Sequence, residues 1–175
     1  MAAPALNFTV AKLPSPLGPL LVVSDSQHCL RGLGWEDRED RLRRDLARIY
    51  GREPELARSA APAAIRRALH SYFAGKLQAI DEISVQTGGT PFQSGVWCAL
   101  RKIPAGTTLS YGRMAHRLKC PLAVRAVGFA NGSNPISVVI PCHRLIGADG
   151  SLTGYGGGLE RKRWLLEHEG VEVSG

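Results

Sequence analysis

Ile136-Ser-Val-Val-Ile140, running into Pro141-Cys142-His143-Arg144, is the stretch whose reading decides the fold. Its first five positions form a β-branched run of the kind that fills a buried strand. Pro141 has no N–H to give to a ladder, so it ends such a strand or confines it to an edge. The expectation is a rigid strand that delivers a thiol and an imidazole to the start of a loop, where reactive side chains are often presented. Taken alone, a free cysteine is more often a small buried hydrophobe. To act as a nucleophile at neutral pH the thiol needs a base or a cation beside it, and His143 and Arg144 qualify by type. Adjacent side chains on a strand point to opposite faces, so Cys142 and His143 cooperate only if Pro141 bends the chain or a water bridges them.

Upstream of this stretch, Asn131-Gly-Ser-Asn134-Pro135 is a turn cluster. Leu122 to Asn131 before it reads as a helix, with Ala123, Ala126, Val127 and Ala130 at the i, i+3, i+4, i+7 spacing of a core-facing stripe. Arg125 and Phe129, four residues apart, share another face. Ser110 can cap a preceding short helix that carries Met114, Ala115 and Leu118 inward, and Lys119-Cys120-Pro121 forms the joint. Two helices joined by about 3 to 4 residues, the second small-sided within and basic without, make a helix-turn-helix. Structural helical hairpins share that pattern, and the charge map separates the two. From Ile83 to Ala148 there is no Asp or Glu, while Arg101, Lys102, Arg113, Arg117, Lys119, Arg125 and Arg144 all fall there, the footprint of a polyanion-binding surface. Further upstream Thr90 would cap a helix with Pro91 first and Gln93 at the capping-box position. Phe92, Val96, Leu100 and Ile103 would form its buried stripe, with Trp97 and Cys98 also in the core, and Pro104-Ala-Gly106 would end it.

Downstream, Gly147-Ala-Asp-Gly150 and Gly154-Tyr-Gly-Gly-Gly158 bound a short extended Ser151-Leu-Thr153. The glycines lack the GK[ST] continuation of a phosphate loop and suit a lid that lets something large approach. Glu160 to Glu169 reads as a closing helix with Trp164, Leu165 and His168 inward, stopped by Gly170.

The first half differs in character. Through residue 88 it holds 12 Lys+Arg against 10 Asp+Glu and reads as a small α/β unit. Phe8-Val10, Gly18-Pro-Leu-Leu-Val-Val23 and Cys29 to Trp35 are strand candidates around the turn-rich Asp25-Ser26-Gln27. Asp40 to Tyr50 closed by Gly51, and Ala61 to Lys76 with Ile65, Leu69, Tyr72 and Phe73 at helical spacing, read as helices. His70 sits beside that stripe as a surface or packed side chain. Thr87-Gly88-Gly89 is the linker, so the domains are 1–88 and 89–175.

With 175 residues, 44% of them apolar, the chain can build a core without staples. No run approaches the roughly 18 apolar residues of a membrane helix, and Met1-Ala2-Ala3-Pro4 lacks the order of a signal peptide, which points to the cytoplasm. Cys29, Cys98, Cys120 and Cys142 stand far apart without zinc spacing, so free thiols are expected rather than a disulfide frame. No metal site and no cofactor motif is present. The chemistry on offer is attack by sulfur on something attached to DNA, which for a base inside a duplex requires flipping it out.

Pro141-Cys142-His143-Arg144, with Arg125-Ala-Val-Gly128, Asn134-Pro135, Gly154-Tyr155 and Trp164-Leu-Leu-Glu-His-Glu-Gly170, closely resembles the O6-alkylguanine-DNA alkyltransferases over Thr90 to Gly170. Asn131-Gly-Ser-Asn-Pro-Ile-Ser137 and Tyr72-Phe-Ala-Gly75 look most like the stand-alone bacterial members. The resemblance implies an α/β fold: a small ribonuclease-H-like N-terminal domain, then a mostly helical C-terminal domain with a winged-helix-like helix-turn-helix. It implies that Cys142 accepts an alkyl group from O6 of guanine, and from O4 of thymine, in a single irreversible turnover. A water would link Cys142 to His143, which Glu169 orients; Tyr111 would give a proton to the leaving base and rotate the flanking phosphate; Asn134 would brace the turn and the thiolate. Arg125 would replace the flipped base, with Tyr111, Val124, Ala126, Gly128 and Phe129 also at the DNA, and Tyr155, Gly156 and Val139 would line the base pocket. The partner implied is double-stranded DNA entered through the minor groove by a monomer.

Two departures stand out. Where the family usually offers small residues to the groove this chain has Val124 and Phe129, and Phe129 is either a second wedge or turned inward. Some relatives bind zinc in the first domain, and no adequate ligand set stands here. Two rivals remain: a non-enzymatic sensor of alkylated DNA, against which Cys142 argues, and a cysteine hydrolase, against which the DNA-binding half argues.

Overall fold

The computed structural model describes residues 6–174; the Met1-Ala2-Ala3-Pro4 reading lies outside them. The chain divides into two compact units, one ending at Gly89 and the other beginning at Thr90.

In the first unit, strands β1 (Asn7–Leu13), β2 (Leu20–Ser24) and β3 (Leu30–Trp35) form an antiparallel meander. A fourth strand, β4 (Glu55–Arg58), pairs parallel to β1 at the sheet edge, giving the order β3-β2-β1-β4. A parallel return needs a crossover, and α1 (Glu39–Tyr50) supplies it. β4 leaves no strand signal in the sequence, because Glu55-Leu-Ala-Arg58 offers no buried position. Leu42 and Leu46 of α1 pack on Phe8, Leu21 and Val23. Gly32 lets the helix that close: a Cβ there would lie 3.2 Å from Val23 Cβ and 3.3 Å from Leu42 Cδ1. Gly51, at φ 74°, ends α1 in the left-handed conformation that glycine adopts without penalty. Helix α2 (Ala63–Phe73) buries Ile65, Leu69 and Tyr72 as its spacing predicts, with His70 exposed.

The second unit comprises α3 (Pro91–Leu100), β5 (Leu109–Ser110), α4 (Tyr111–Arg117), α5 (Val124–Gly132), β6 (Leu145–Ile146) and α6 (Leu159–His168). The capping box forms: Gln93 N donates to Thr90 Oγ1 at 3.1 Å and Thr90 N to Gln93 Oε1 at 2.9 Å. Ser110 caps α4 through Arg113 N at 3.1 Å. Val96, Trp97, Leu100 and Ile103 are buried, and Trp97 Nε1 donates to Ala130 O at 2.8 Å, tying α3 to α5.

Several expectations fail in this unit. Phe92 is 39% exposed because it lies in the first turn of α3, ahead of the packed part. Cys98 is exposed, being about 200° round the helix from Val96. The joint between α4 and α5 is longer than Lys119-Cys120-Pro121. Lys119 is left-handed at φ 59°, and Ala123 N bonds Cys120 O at 2.8 Å, so α5 starts only at Val124 and Leu122 is fully exposed. The buried face of α5 is Val127, Ala130 and Asn131, and Ala126 points out rather than in. In α6 the inward residues are Lys162, Leu165 and Leu166, while Trp164 and His168 are half-buried and stack on each other with centroids 4.7 Å apart.

The largest correction falls on Ile136–Ile140, which is not a strand. All of it but the half-buried Ser137 is buried, but its backbone folds on itself: Ile140 N donates to Ile136 O at 3.0 Å, Val139 N to Ser137 O at 2.8 Å and Cys142 N to Ile140 O at 2.7 Å. Asn134 replaces the missing ladder. Its Nδ2 donates to Ile140 O at 2.8 Å and Ile136 O at 3.3 Å, and its Oδ1 accepts from Ile136 N at 2.9 Å. One side chain thus satisfies three buried backbone groups. Val138 is held at φ 71°, a conformation costly for a β-branched residue. Among the described residues no helix is long and apolar enough to cross a membrane.

Candidate active site

Pro141, at φ −80° and ψ 66°, turns the chain into a single helical turn, Cys142–Arg144. The bend that cooperation between Cys142 and His143 requires is therefore present. Directly after it β6 pairs parallel with β5, Leu145 opposite Leu109 and Ile146 opposite Ser110. Since β5 runs into Tyr111, this short pairing brings the start of the helix-turn-helix to the exit of the cysteine turn. Two-residue strands leave no periodic signal, so neither is expected from the sequence.

Cys142, His143 and Arg144 are all buried. Glu169, at the end of α6, faces the last two. Its Oε1 accepts from His143 Nε2 at 2.8 Å and from Arg144 Nη2 at 2.8 Å, and its Oε2 from Arg144 Nε at 2.9 Å. Arg144 Nη1 also donates to Ile103 O. Burial alone would raise the Glu169 pKa, but the bonds from His143 and Arg144 outweigh it and hold the carboxyl well below the usual carboxylate range. Burial pushes the His143 pKa down, and Glu169 only partly opposes that. The imidazole is therefore neutral at physiological pH. With Nε2–H committed to the carboxylate, the lone pair sits on Nδ1, which is buried without a hydrogen-bond partner among the described residues. A neutral imidazole so oriented is a base.

Arg144 is thus engaged with Glu169, and a further buried cation, absent from the expectations drawn from the sequence, interacts electrostatically with Cys142. Lys162 is fully buried, its Nζ donating to Leu145 O and Thr153 O at 2.7 Å each and to Gly154 O at 3.4 Å. Burial lowers its pKa to about 8, against an opposing pull from Cys142. Its signal was its place three and four residues before Leu165 and Leu166, on the buried side of α6.

Around this centre, the half-buried Tyr155 sets its ring edge-on to His143 at 6.5 Å, Gly156 is half-buried beside it, and Val139 is buried in the Asn134-held turn. Asn131 Nδ2 reaches Cys142 O at 3.4 Å. Tyr111 is half-buried; a Cβ on Gly128 would lie 3.9 Å from its ring, and its hydroxyl accepts from Thr153 Oγ1 at 3.0 Å. The hydrogen bonds of Asn134 go to the backbone of the turn. Val124, Arg125, Ala126 and Phe129 are exposed on α5. Phe129, at 73% exposure, points outward, which removes the inward alternative.

Two family models match the chain: 6-O-methylguanine DNA methyltransferase, ribonuclease-like domain, over residues 9–87, and 6-O-methylguanine DNA methyltransferase, DNA binding domain, over 91–171. A methylated-DNA--protein-cysteine methyltransferase of Salmonella typhimurium is 52% identical over 167 residues, covering 94% of this chain and 97% of the relative. The crystal structure of Mycobacterium tuberculosis OGT in complex with DNA is 39% identical, with a TM-score of 0.78 over 92% of each chain. The O6-methylguanine-DNA methyltransferase of Pyrococcus kodakaraensis KOD1 is 26% identical, with a TM-score of 0.72 over 94% of this chain and 99% of that one. Both units are matched along nearly their whole length, and Cys142 and the His143–Glu169 pair all fall within the second: the chain belongs to the 6-O-methylguanine DNA methyltransferase family.

Proposed function

We propose that Cys142 is the residue on which this family's chemistry takes place here. The protein performs direct-reversal repair of DNA, moving a methyl group from O6-methylguanine to a cysteine of its own. The thiol proton passes through a water to His143 Nδ1, with Glu169 holding the opposite edge of the ring. Sulfur attacks the methyl carbon, the C–O6 bond breaks, and its electron pair leaves with the guanine. Tyr111 gives that anion a proton, and the proton stored on His143 returns to solvent as the phenol is restored. A thioether has no easy route back, so each molecule reacts once.

Arg125 fills the place of the flipped base, Tyr111, Val124, Ala126, Gly128 and Phe129 meet the minor groove, and Tyr155, Gly156 and Val139 line the base pocket. Asn134 keeps the turn in shape for the thiolate. O4-methylthymine is a second substrate, and the protein works as a monomer in the cytoplasm. The observation that carries the reading is the buried contact of His143 Nε2 with Glu169 at 2.8 Å, which leaves Nδ1 as a base one residue beyond the cysteine.

Intact mass after incubation with duplex DNA containing O6-methylguanine tests it. The expected result is one added methylene mass, mapped to Cys142, with repair stopping at one lesion per molecule. No mass gain, or many repairs per molecule, would refute it.

A further inference from the structure

We propose that Thr153, in the loop between β6 and α6, is a positioning residue that sets the Tyr111 hydroxyl for proton donation. This rests on the proposed role of Tyr111. Thr153 Oγ1 donates to Tyr111 OH at 3.0 Å, across 42 residues of sequence. A phenol has one proton and two lone pairs. Once its oxygen accepts from Thr153, its own proton must point elsewhere and is free for an acceptor on the substrate.

The donor is itself fixed. Lys162 Nζ holds the carbonyls of Thr153 at 2.7 Å and Gly154 at 3.4 Å, and with the same ammonium the carbonyl of Leu145 at 2.7 Å. Leu145 opens β6, whose partner strand β5 runs into Tyr111. The threonine backbone and the tyrosine are therefore both referred to one short strand pair, and the hydroxyl contact closes the loop between them.

The contact also changes strength during the reaction. As Tyr111 hands its proton to the departing guanine, its oxygen becomes a phenolate, and a hydrogen bond to the charged form is stronger than one to the neutral form. An interaction that tightens as the proton leaves accelerates the step instead of tightening ground-state binding. Thr153 gives up no proton; its bond to the tyrosine oxygen persists throughout.

Single-turnover transfer rates, with protein in excess over duplex carrying O6-methylguanine, are measured beside duplex affinity for the wild type, Thr153→Ser, Thr153→Val, Tyr111→Phe and the double variant Tyr111→Phe/Thr153→Val. Thr153→Val is expected to slow transfer about fivefold, the effect of one hydrogen bond, with affinity unchanged. Thr153→Ser keeps the wild-type rate, and in the Tyr111→Phe background the valine causes no further loss. The proposal is overturned if Thr153→Val transfers at the wild-type rate while Tyr111→Phe is slow, or if the fivefold loss persists without the phenol hydroxyl, which would mark a role in loop shape alone. A Tyr111→Phe variant as fast as wild type would instead remove the proton donor and the Thr153 proposal with it.

Discussion

Replacing Glu169 by glutamine would leave Arg144 buried with no carboxylate opposite it, while His143 and Arg144 competed for one neutral acceptor. Breaking a buried pair in this way costs about 3–5 kcal/mol, which denaturant unfolding at pH 7.5 would read directly. A loss under 1 kcal/mol would mean the trio does not hold the turn. Acid acts on the same residues in a defined order. Burial sets the His143 pKa below its ordinary 6.5, so the unfolded chain takes up that proton first and stability falls as pH drops past about 6.5. Glu169 has a depressed pKa; its contribution is complete above about 4.5 and is lost as pH falls through the folded value. Both shifts make acid destabilising, and neither predicts a loss between pH 7 and 8. In sequence, Cys142 and His143 stand out by their setting and Glu169 by resemblance. Lys162 does not, because a helix lysine ordinarily belongs to the solvated face, and only the three carbonyls converging on its Nζ explain its burial.

Helix α5 presents an exposed phenylalanine four residues beyond Arg125. An aromatic left in water on a basic helix face has apolar area to lose against the walls of a narrow groove. Phe129→Ala should therefore weaken duplex binding by roughly 1–2 kcal/mol, about tenfold, while leaving transfer from a free O6-alkylguanine base, which needs no groove, at its normal rate. Equal duplex affinity for the two proteins in a fluorescence titration would end the idea that this ring is a wedge. Elements with periodicity were legible: the caps at Thr90 and Ser110, the stripe of α2, the Val96, Leu100 and Ile103 part of the α3 stripe, and the three strands β1–β3 all follow from residue spacing. The misread element, Ile136–Ile140, shows why the others succeeded. An apolar β-branched run reports burial, and burial with an intact ladder is a strand; burial with a side chain standing in for the ladder is a turn. Asn134 supplies that substitute, and nothing in the run itself distinguishes the two. The parallel pair β5–β6, too short for any period, could be found only in three dimensions.

Across the molecule, charge is partitioned in a way that composition exposes only in part. The net charge of +7 includes a stretch, 83–148, with seven cations and no carboxylate. The structure removes Arg144 from that set by engaging it with Glu169 in the interior, and leaves Lys102, Arg113, Arg117, Lys119 and Arg125 exposed. Each cation seated on a phosphate releases a condensed counterion, so log affinity should fall linearly with log salt by about 0.9 per contact on duplex DNA. If Arg113, in the first turn of α4, makes such a contact, Arg113→Ala should lower affinity at 50 mM salt and flatten the salt slope by about 1. Its effect should be the same on methylated and unmodified duplex, because backbone contacts carry no sequence information. Arg125→Ala should behave differently. If Arg125 stands in for the flipped base as proposed, its loss slows transfer from duplex more than it flattens the slope and leaves transfer from the free base intact. Titrations of wild type and both variants from 50 to 300 mM salt, paired with single-turnover rates, separate the two roles. Identical slopes for wild type and Arg113→Ala would show that Arg113 does not touch the backbone, and would leave Lys102, Arg117, Lys119 and Arg125 as the exposed cations of the carboxylate-free stretch that can.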